Sequence, residues 1–408
     1  MFTSNHRVSL VTAVLPKNSA GGTLKALVED EHANALVSQA RGSLLRDRWW
    51  RSWVPPIRPA KSMLQLLVPD EDLDRILALI VEHGKLHLQA SGAVFSQSAE
   101  SVHIGSDCHL ISPDRIGQST TASHAMKSDL HAIFCVVSNA ACDRVAKAAI
   151  NAGAHGPVVY YAEGHGLRDR LGWLRITKDP HQEVLMIVTD ENDVDVIFDA
   201  IAKAAELHLP GRGFMYRLVL NKGMFNLPSR LSNHHFDANM QQIIHAIDHL
   251  AGHTHWRDQS VFNVGGQGKG AGLNSLSKSN VVTRDQMCLA IAVDRDNTKT
   301  ATDLLLSSGA NGVSISYSKL LTHDHEQHLA QAHVNREYAI MHCVTNRHVS
   351  AKLAQEIESH ASSLGLNDFC ALQQPVPATA YYQPGNIDYR RENEQDRAES
   401  AVAMGSVG

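Results

Sequence analysis

The stretch HAIFCVVSNAACDRVAKAAINAGAHGPVVYYAEG (131–164), continued by VLMIVTDENDVDVIFDAIAKAAELHL (184–209) and FMYRLVL (214–220), decides the fold. HAIFCVVS is a short apolar, β-rich run. In CDRVAKAAINAGAHG (142–156) Val145, Ala146, Ala149 and Ile150 fall on one helical face before Gly153 stops it. PVVYYAE reads as a strand, about twenty polar residues as a loop, and VLMIVTD as another strand. The acidic turn DENDVD then opens a helix in which Val194, Ile197, Phe198, Ile201 and Ala205 recur at helical spacing, with its acids at the positive end of the helix dipole. FMYRLVL closes the block. The sum is β-α-β-β-α-β, the split βαβ or ferredoxin-like arrangement, with two helices on one face of an antiparallel sheet.

The same block recurs on both sides. MLQLLVPDEDLDRILALIVEHGKLHL (63–88) repeats the apolar run, acidic turn, helical pattern and closing Leu-His-Leu of 184–209 at an offset of about 121 residues, and an Arg-Asp-Arg precedes each, at 46–48 and 168–170. AGAHGPVVYYAEG (152–164) matches SGANGVSISYSK (308–319). The third copy begins at CLAIAVD (288–294), has a helix at 298–308, and ends with YAIMHCV (338–344), a helix at 349–365 and FCALQQPV (369–376). The expected fold class is therefore α+β with three tandem ferredoxin-like units, at 1–98, 129–221 and 286–382. Residues 98–128 read as a Ser/His/Gly-rich linker. Residues 222–285 read as a second linker containing one amphipathic helix, near 237–251, and 383–408 as a disordered tail.

Composition bounds the function. A chain of 408 residues with 37 basic and 42 acidic side chains, net −5, carries no long basic run, and no stretch reaches the length of a membrane span, so neither nucleic acid nor membrane insertion is expected. The N-terminal MFTSNHRVSLVTAVLP lacks the layout of a secretion signal, and six scattered cysteines without a CxxC pair read as buried free thiols, which together suggest a cytoplasmic protein. Histidine is abundant, at 25. His245 and His249 stand at i, i+4 in the linker helix with His253 beyond, the spacing of metal ligands, but no cysteine lies near and HExxH is absent, so no metal is expected. The glycine-rich stretch 264–272 fails the P-loop pattern, because Asn263 and Gly270 stand where glycine and Ser/Thr belong. Asp70, Glu71, Asp190 and Glu191 sit at helix starts and read as structural. No catalytic set stands out, and an enzyme is not expected.

Two glycine motifs in the central unit carry a resemblance. Glu163-Gly164-His165-Gly166-Leu167-Arg168 follows the second strand, and Leu209-Pro210-Gly211-Arg212-Gly213-Phe214 precedes the last, where successive backbone N–H groups can face an anion. In order and spacing these resemble the K-G-F-G-R-Q motif that opens the T-loop and the I-G-D-G-K-I-F B-loop of the PII signalling family. That resemblance implies ATP, ADP or AMP as ligand and a nucleotide site drawn from Gly164, His165, Gly166 and Arg168 with Gly211, Arg212 and Gly213. Phe214 replaces the B-loop lysine, Arg212 its acidic residue, and His181 the lysine before the third strand, whose counterpart in the first copy is Lys61. The family's homotrimers further imply an intramolecular pseudo-trimer, as a monomer or a higher homo-oligomer. They also imply a regulated partner, a membrane transporter or a metabolic enzyme, touched through loops carrying Trp49 and Trp50 in the first copy and Arg170, Trp173 and Arg175 in the central one. The loop 167–183 has no tyrosine, so uridylylation is not expected. The alternative is a metal-binding or scaffolding protein built from degenerate copies.

Overall fold

The computed structural model describes residues 8–29, 34–42, 59–88, 92–110, 126–166, 181–225, 282–322 and 333–382. Expected features within 43–58, 167–180 and 226–281, among them Trp49, Trp50, Arg168, Arg170, Trp173, Arg175, His245, His249 and His253, lie outside them, as does the expected tail 383–408.

The chain is a mixed α+β structure: among the described residues, sixteen strands are joined in one largely antiparallel network and accompanied by six α-helices. The first unit is β1 (Val8–Pro16), α1 (Lys17–Glu29), β2 (Ala35–Gly42), β3 (Ala60–Pro69), α2 (Leu73–Gly84) and β4 (Ala93–Ser98), followed by a short strand β5 (Ser101–Ile104). The second is β6 (Leu130–Ser138), α3 (Asn139–Asn151), β7 (Val158–Gly166), β8 (His181–Asp190), α4 (Glu191–Ala204) and β9 (Gly213–Leu220), followed by β10 (Lys222–Met224). The third opens with β11 (Val282–Thr283) and contains β12 (Gln286–Asp294), α5 (Thr298–Ser308), β13 (Gly312–Thr322), β14 (His333–Asn346), α6 (Arg347–Leu364) and β15 (Phe369–Val376), followed by β16 (Ala378–Tyr381). In each unit the first strand pairs with the third and the last, and the second with the third, all antiparallel.

Each sheet is buried on both faces, which explains the uninterrupted apolar runs. Along β6, Ile133, Cys135 and Val137 pack under α3 and α4, while Leu130, Ala132, Phe134 and Val136 face the other way. That alternation is the period of two of a strand. An antiparallel sheet usually leaves one face to water. Here the second face meets the other units, in a core that joins Val14, Met63 and Phe95 of the first unit to Cys288 and Val376 of the third.

The units are also joined by backbone. The C-terminal end of β2 pairs with the start of β7 (Arg41 opposite Val159). The end of β7 pairs with the start of β13 (Glu163 opposite Ile315), and the end of β13 returns to the start of β2 (Lys319 opposite Val37). The short strands close a second circuit: β5 lies on β15, β10 on β4 and β16 on β9, so each unit lends the strand after its last to another unit. The segments read from sequence as linkers therefore contribute β5, β10 and β11. Their hydrogen bonds come from a distant sheet edge and leave no periodic mark in so few residues.

Candidate functional site

The Gly211–Gly213 turn is shaped by α4 ending and β9 beginning. Glu206 takes φ +54 after the helix, Gly211 φ +76 and Gly213 φ +128. A Cβ at Gly213 would fall 2.0 Å from the Val136 carbonyl oxygen, so a side chain is excluded there on both steric and dihedral grounds. Gly92 repeats this in the first unit, at φ +132 and 1.9 Å from the Val14 oxygen, whereas strand register puts Phe369 at the same place in the third. Arg212 is half exposed (52%), and its Nε donates toward Glu206 Oε2 at 3.2 Å; Arg144 of α3 approaches the same carboxylate at 3.7 Å. Two guanidinium groups on one carboxylate leave a net positive charge at this edge. Exposed pairs of this kind hold by only about 0–1 kcal/mol, so an incoming anion can displace Glu206.

Gly164, His165 and Gly166 do not open a loop directly; they are the last residues of β7, paired with Ser314, Val313 and Gly312 of the third unit. Beside them Glu163 accepts a hydrogen bond from the Tyr317 hydroxyl at 3.1 Å, with His165 Nε2 3.9 Å away. The Arg295 guanidinium lies over the Tyr317 ring, 4.9 Å from its centroid, and pairs with Glu337. Burial, with Glu163 close by, raises the Tyr317 hydroxyl above its ordinary value. Tyr317, Arg295 and Glu337 were not singled out in the sequence, because they meet Glu163 only through pairing between units.

The two glycine motifs lie toward the same end of the second sheet but on opposite edges. Gly213 is across from Val137, Val137 from Glu183, and Glu183 from Tyr161, three strand spacings or about 14 Å. His181 pairs with Glu163 at the start of β8. Lys61 pairs with Pro16, the last residue of β1, and the residue opposite the last residue of β6 is Gln182. The register counterpart of Lys61 is therefore Gln182, one residue from His181, and a one-residue step turns a side chain to the other face. Burial lowers the Lys61 ammonium below its ordinary value.

A further polar group joins the first two units. Arg41, 13% exposed at the end of β2, donates from Nη2 to both carboxylate oxygens of Glu183 at 3.0 Å and from Nη1 to Asp143 at 3.3 Å. Glu183 is only 1% exposed. Burial opposes the charge on Arg41, but the Glu183 carboxylate outweighs it and holds the guanidinium above its ordinary value. Burial, then Glu183, pushes the neighbouring Cys142 thiol up. Two of the acids at the helix starts meet side chains from other elements: Asp190, at the N-cap of α4, accepts from Lys127 Nζ at 2.9 Å, and Asp70 accepts from the Ser9 hydroxyl at 2.6 Å. Among the described residues no cluster of His, Cys, Asp and Glu is arranged to hold a metal ion, and no helix is long and apolar enough to cross a membrane.

No family model matches the chain, and no curated protein does. Among solved structures, two mutant chlorite dismutases from Candidatus Nitrospira defluvii are similar at 8% and 7% identity, each covering 61% of this chain and 92% of its own, with a TM-score of 0.15. A likeness at that score carries no argument about this chain.

Proposed function

We propose that this chain is a PII-like regulator whose three ferredoxin-like units form an intramolecular pseudo-trimer in the cytoplasm. In this reading the central unit senses an adenine nucleotide or another small anion at Gly211-Arg212-Gly213, helped by Arg144. It passes that state to a regulated protein, a transporter or a metabolic enzyme, through the segments that follow β2 and β7 and carry Trp49, Trp50, Arg170, Trp173 and Arg175. One observation carries the reading: the second strands of the three units pair in a closed circuit, each ending beside the next unit, so that changes at one unit's edge are felt by its neighbour. The glycine at φ +128 adds support, since backbone N–H groups freed from side chains suit a phosphate.

Calorimetry on the full chain with ATP, ADP and AMP tests it. Heat with at least one nucleotide is expected, together with its loss in Gly211→Asp, which sets a carboxylate in the path of the anion. Absence of heat with every nucleotide overturns nucleotide sensing and moves the reading to a scaffold. An obligate trimer of full-length chains in solution overturns the pseudo-trimer.

A further inference from the structure

The tail of the first unit grips the third by a clamp that the repeat does not require. After β5, whose Ile104 lies opposite Cys370, the chain turns back over the start of β15: Gly105 N–H donates to Phe369 O at 2.9 Å and Asp107 N–H to Asn367 O at 3.0 Å. His109 N–H donates to Asp368 Oδ1 at 3.2 Å, and the same carboxylate receives Arg336 at 3.2 Å and the Tyr338 hydroxyl. Gly105 permits the close approach, because a Cβ there would sit 2.0 Å from the Asn367 oxygen. The Cys108 N–H bond to Gly105 O at 3.3 Å tightens the turn. It returns Cys108 to the apolar cluster that contains Cys370 and Leu110, against which its side chain packs.

The two sulfurs differ in access. All six cysteines are free thiols; Cys370 and four others are buried, and Cys108 alone is partly exposed. Contact with Cys108 and burial together hold the Cys370 thiol far above its ordinary value, so it stays protonated while Cys108 meets solvent. A partly exposed thiol beside a buried one is the arrangement of an attacking and a resolving cysteine.

We propose that Cys108 and Cys370 are a peroxide-responsive pair whose disulfide staples the first unit to the third. Cys108 gives its proton to solvent and the thiolate attacks hydrogen peroxide: an S–O bond forms, the O–O bond breaks and hydroxide leaves, taking up a proton from solvent as water and giving the sulfenic acid. The Cys370 sulfur then attacks the Cys108 sulfur. The S–S bond forms, the S–O bond breaks, and the departing hydroxide takes the Cys370 proton as water. Two thiols are oxidised and one peroxide is reduced to two waters. The inference is independent of any nucleotide.

The test treats the full-length protein with a small excess of hydrogen peroxide, blocks remaining thiols with iodoacetamide and maps peptides without reduction. The expected product is one intramolecular link between the peptides carrying Cys108 and Cys370, with a loss of about 2 Da that dithiothreitol reverses. Cys370→Ser should leave Cys108 to proceed to the sulfinic acid, and Cys108→Ser should leave Cys370 unoxidised at the same dose, each variant being checked for native circular dichroism. The proposal is overturned if both wild-type thiols are still alkylated, if Cys108 links two molecules, or if wild-type Cys108 reaches the sulfinic acid without the internal link.

Discussion

At the junction of the first and second units Arg41 lies across from Val159 and is sealed against Glu183, whereas at the junction of the second and third the residue in the same register, Glu163, is 37% exposed and accepts from a tyrosine hydroxyl with the His165 ring 3.9 Å away. Lys319 fills the third such position and is exposed. In a ring of identical units one side chain would have to serve every junction. Three units on one chain are released from that constraint, and here the position has become a cation, an anion and a cation with different partners. Unlike junctions also disfavour wrong pairings, since the Arg41 pocket offers a buried carboxylate that Glu163 would meet with like charge.

The comparison breaks most visibly at Arg41. Arg41→Ala would leave Glu183 charged and unpaired in a site that water hardly reaches, and removing one partner of a buried pair costs about 3–5 kcal/mol. Urea denaturation should show the midpoint falling by that amount over the slope. Replacing both partners, Arg41→Met with Glu183→Leu, should recover most of it, because an apolar pair has no charge to desolvate. A loss under about 1 kcal/mol for the single variant would mean that the junction is wet, like its counterpart at Glu163.

His342 sharpens the contrast by asking whether the centre or a junction sets the acid limit. It lines two cavities, of about 40 Å³ between the first and third units and about 10 Å³ where all three meet, and burial lowers its pKa to about 4. The folded state therefore binds fewer protons than the unfolded chain between about pH 6.5 and pH 4. This contribution is fully present above the unfolded value and is lost as pH falls toward the folded one, at up to about 1.4 kcal/mol per unit. His131, lowered by burial and by Arg217, acts in the same direction. His342→Gln should flatten the acid limb of stability against pH by a total on the order of 3 kcal/mol at pH 4 relative to wild type. Identical limbs would place the acid limit elsewhere, at the carboxylates of the junctions.

Much of the framework could be read before any coordinates, for a physical reason: helical faces such as Val194, Ile197, Phe198 and Ile201 pack within their own unit, so the signal is local. The circuit between units was not legible in the same way. Lys222–Met224 and Val282–Thr283 are strands only because edges far along the chain supply their partners. One signal was available: HAIFCVVS and CLAIAVD show no polar alternation, and a strand buried on both faces is what such a run means. At the site, the turn at Gly211 and Gly213 announced itself through residues that only a positive φ needs. Arg41–Glu183 and Glu163–Tyr317 did not, since each joins residues more than a hundred positions apart. The matching of Lys61 with His181 failed by one residue for a related reason, because register is set by the partner strand and the sequence between gives no ruler for it.

The smallest effect is expected at Glu163. Glu163→Gln keeps an acceptor for the Tyr317 hydroxyl and removes only a charge that faces water on one side, next to His165 and near the half-exposed Arg295. An exposed pair contributes roughly 0.2–1 kcal/mol, and high salt screens it. The variant should therefore shift the urea midpoint by a few tenths of a kcal/mol at low salt and by less at high salt, while the Arg41→Ala loss persists in both, because ions do not enter its pocket. If high salt rescued Arg41→Ala and left Glu163→Gln untouched, the assignment of a dry first junction and a wet second one would be reversed. A Glu163→Gln loss comparable to that of Arg41→Ala would show instead that the two junctions, for all their difference in chemistry, carry the ring equally.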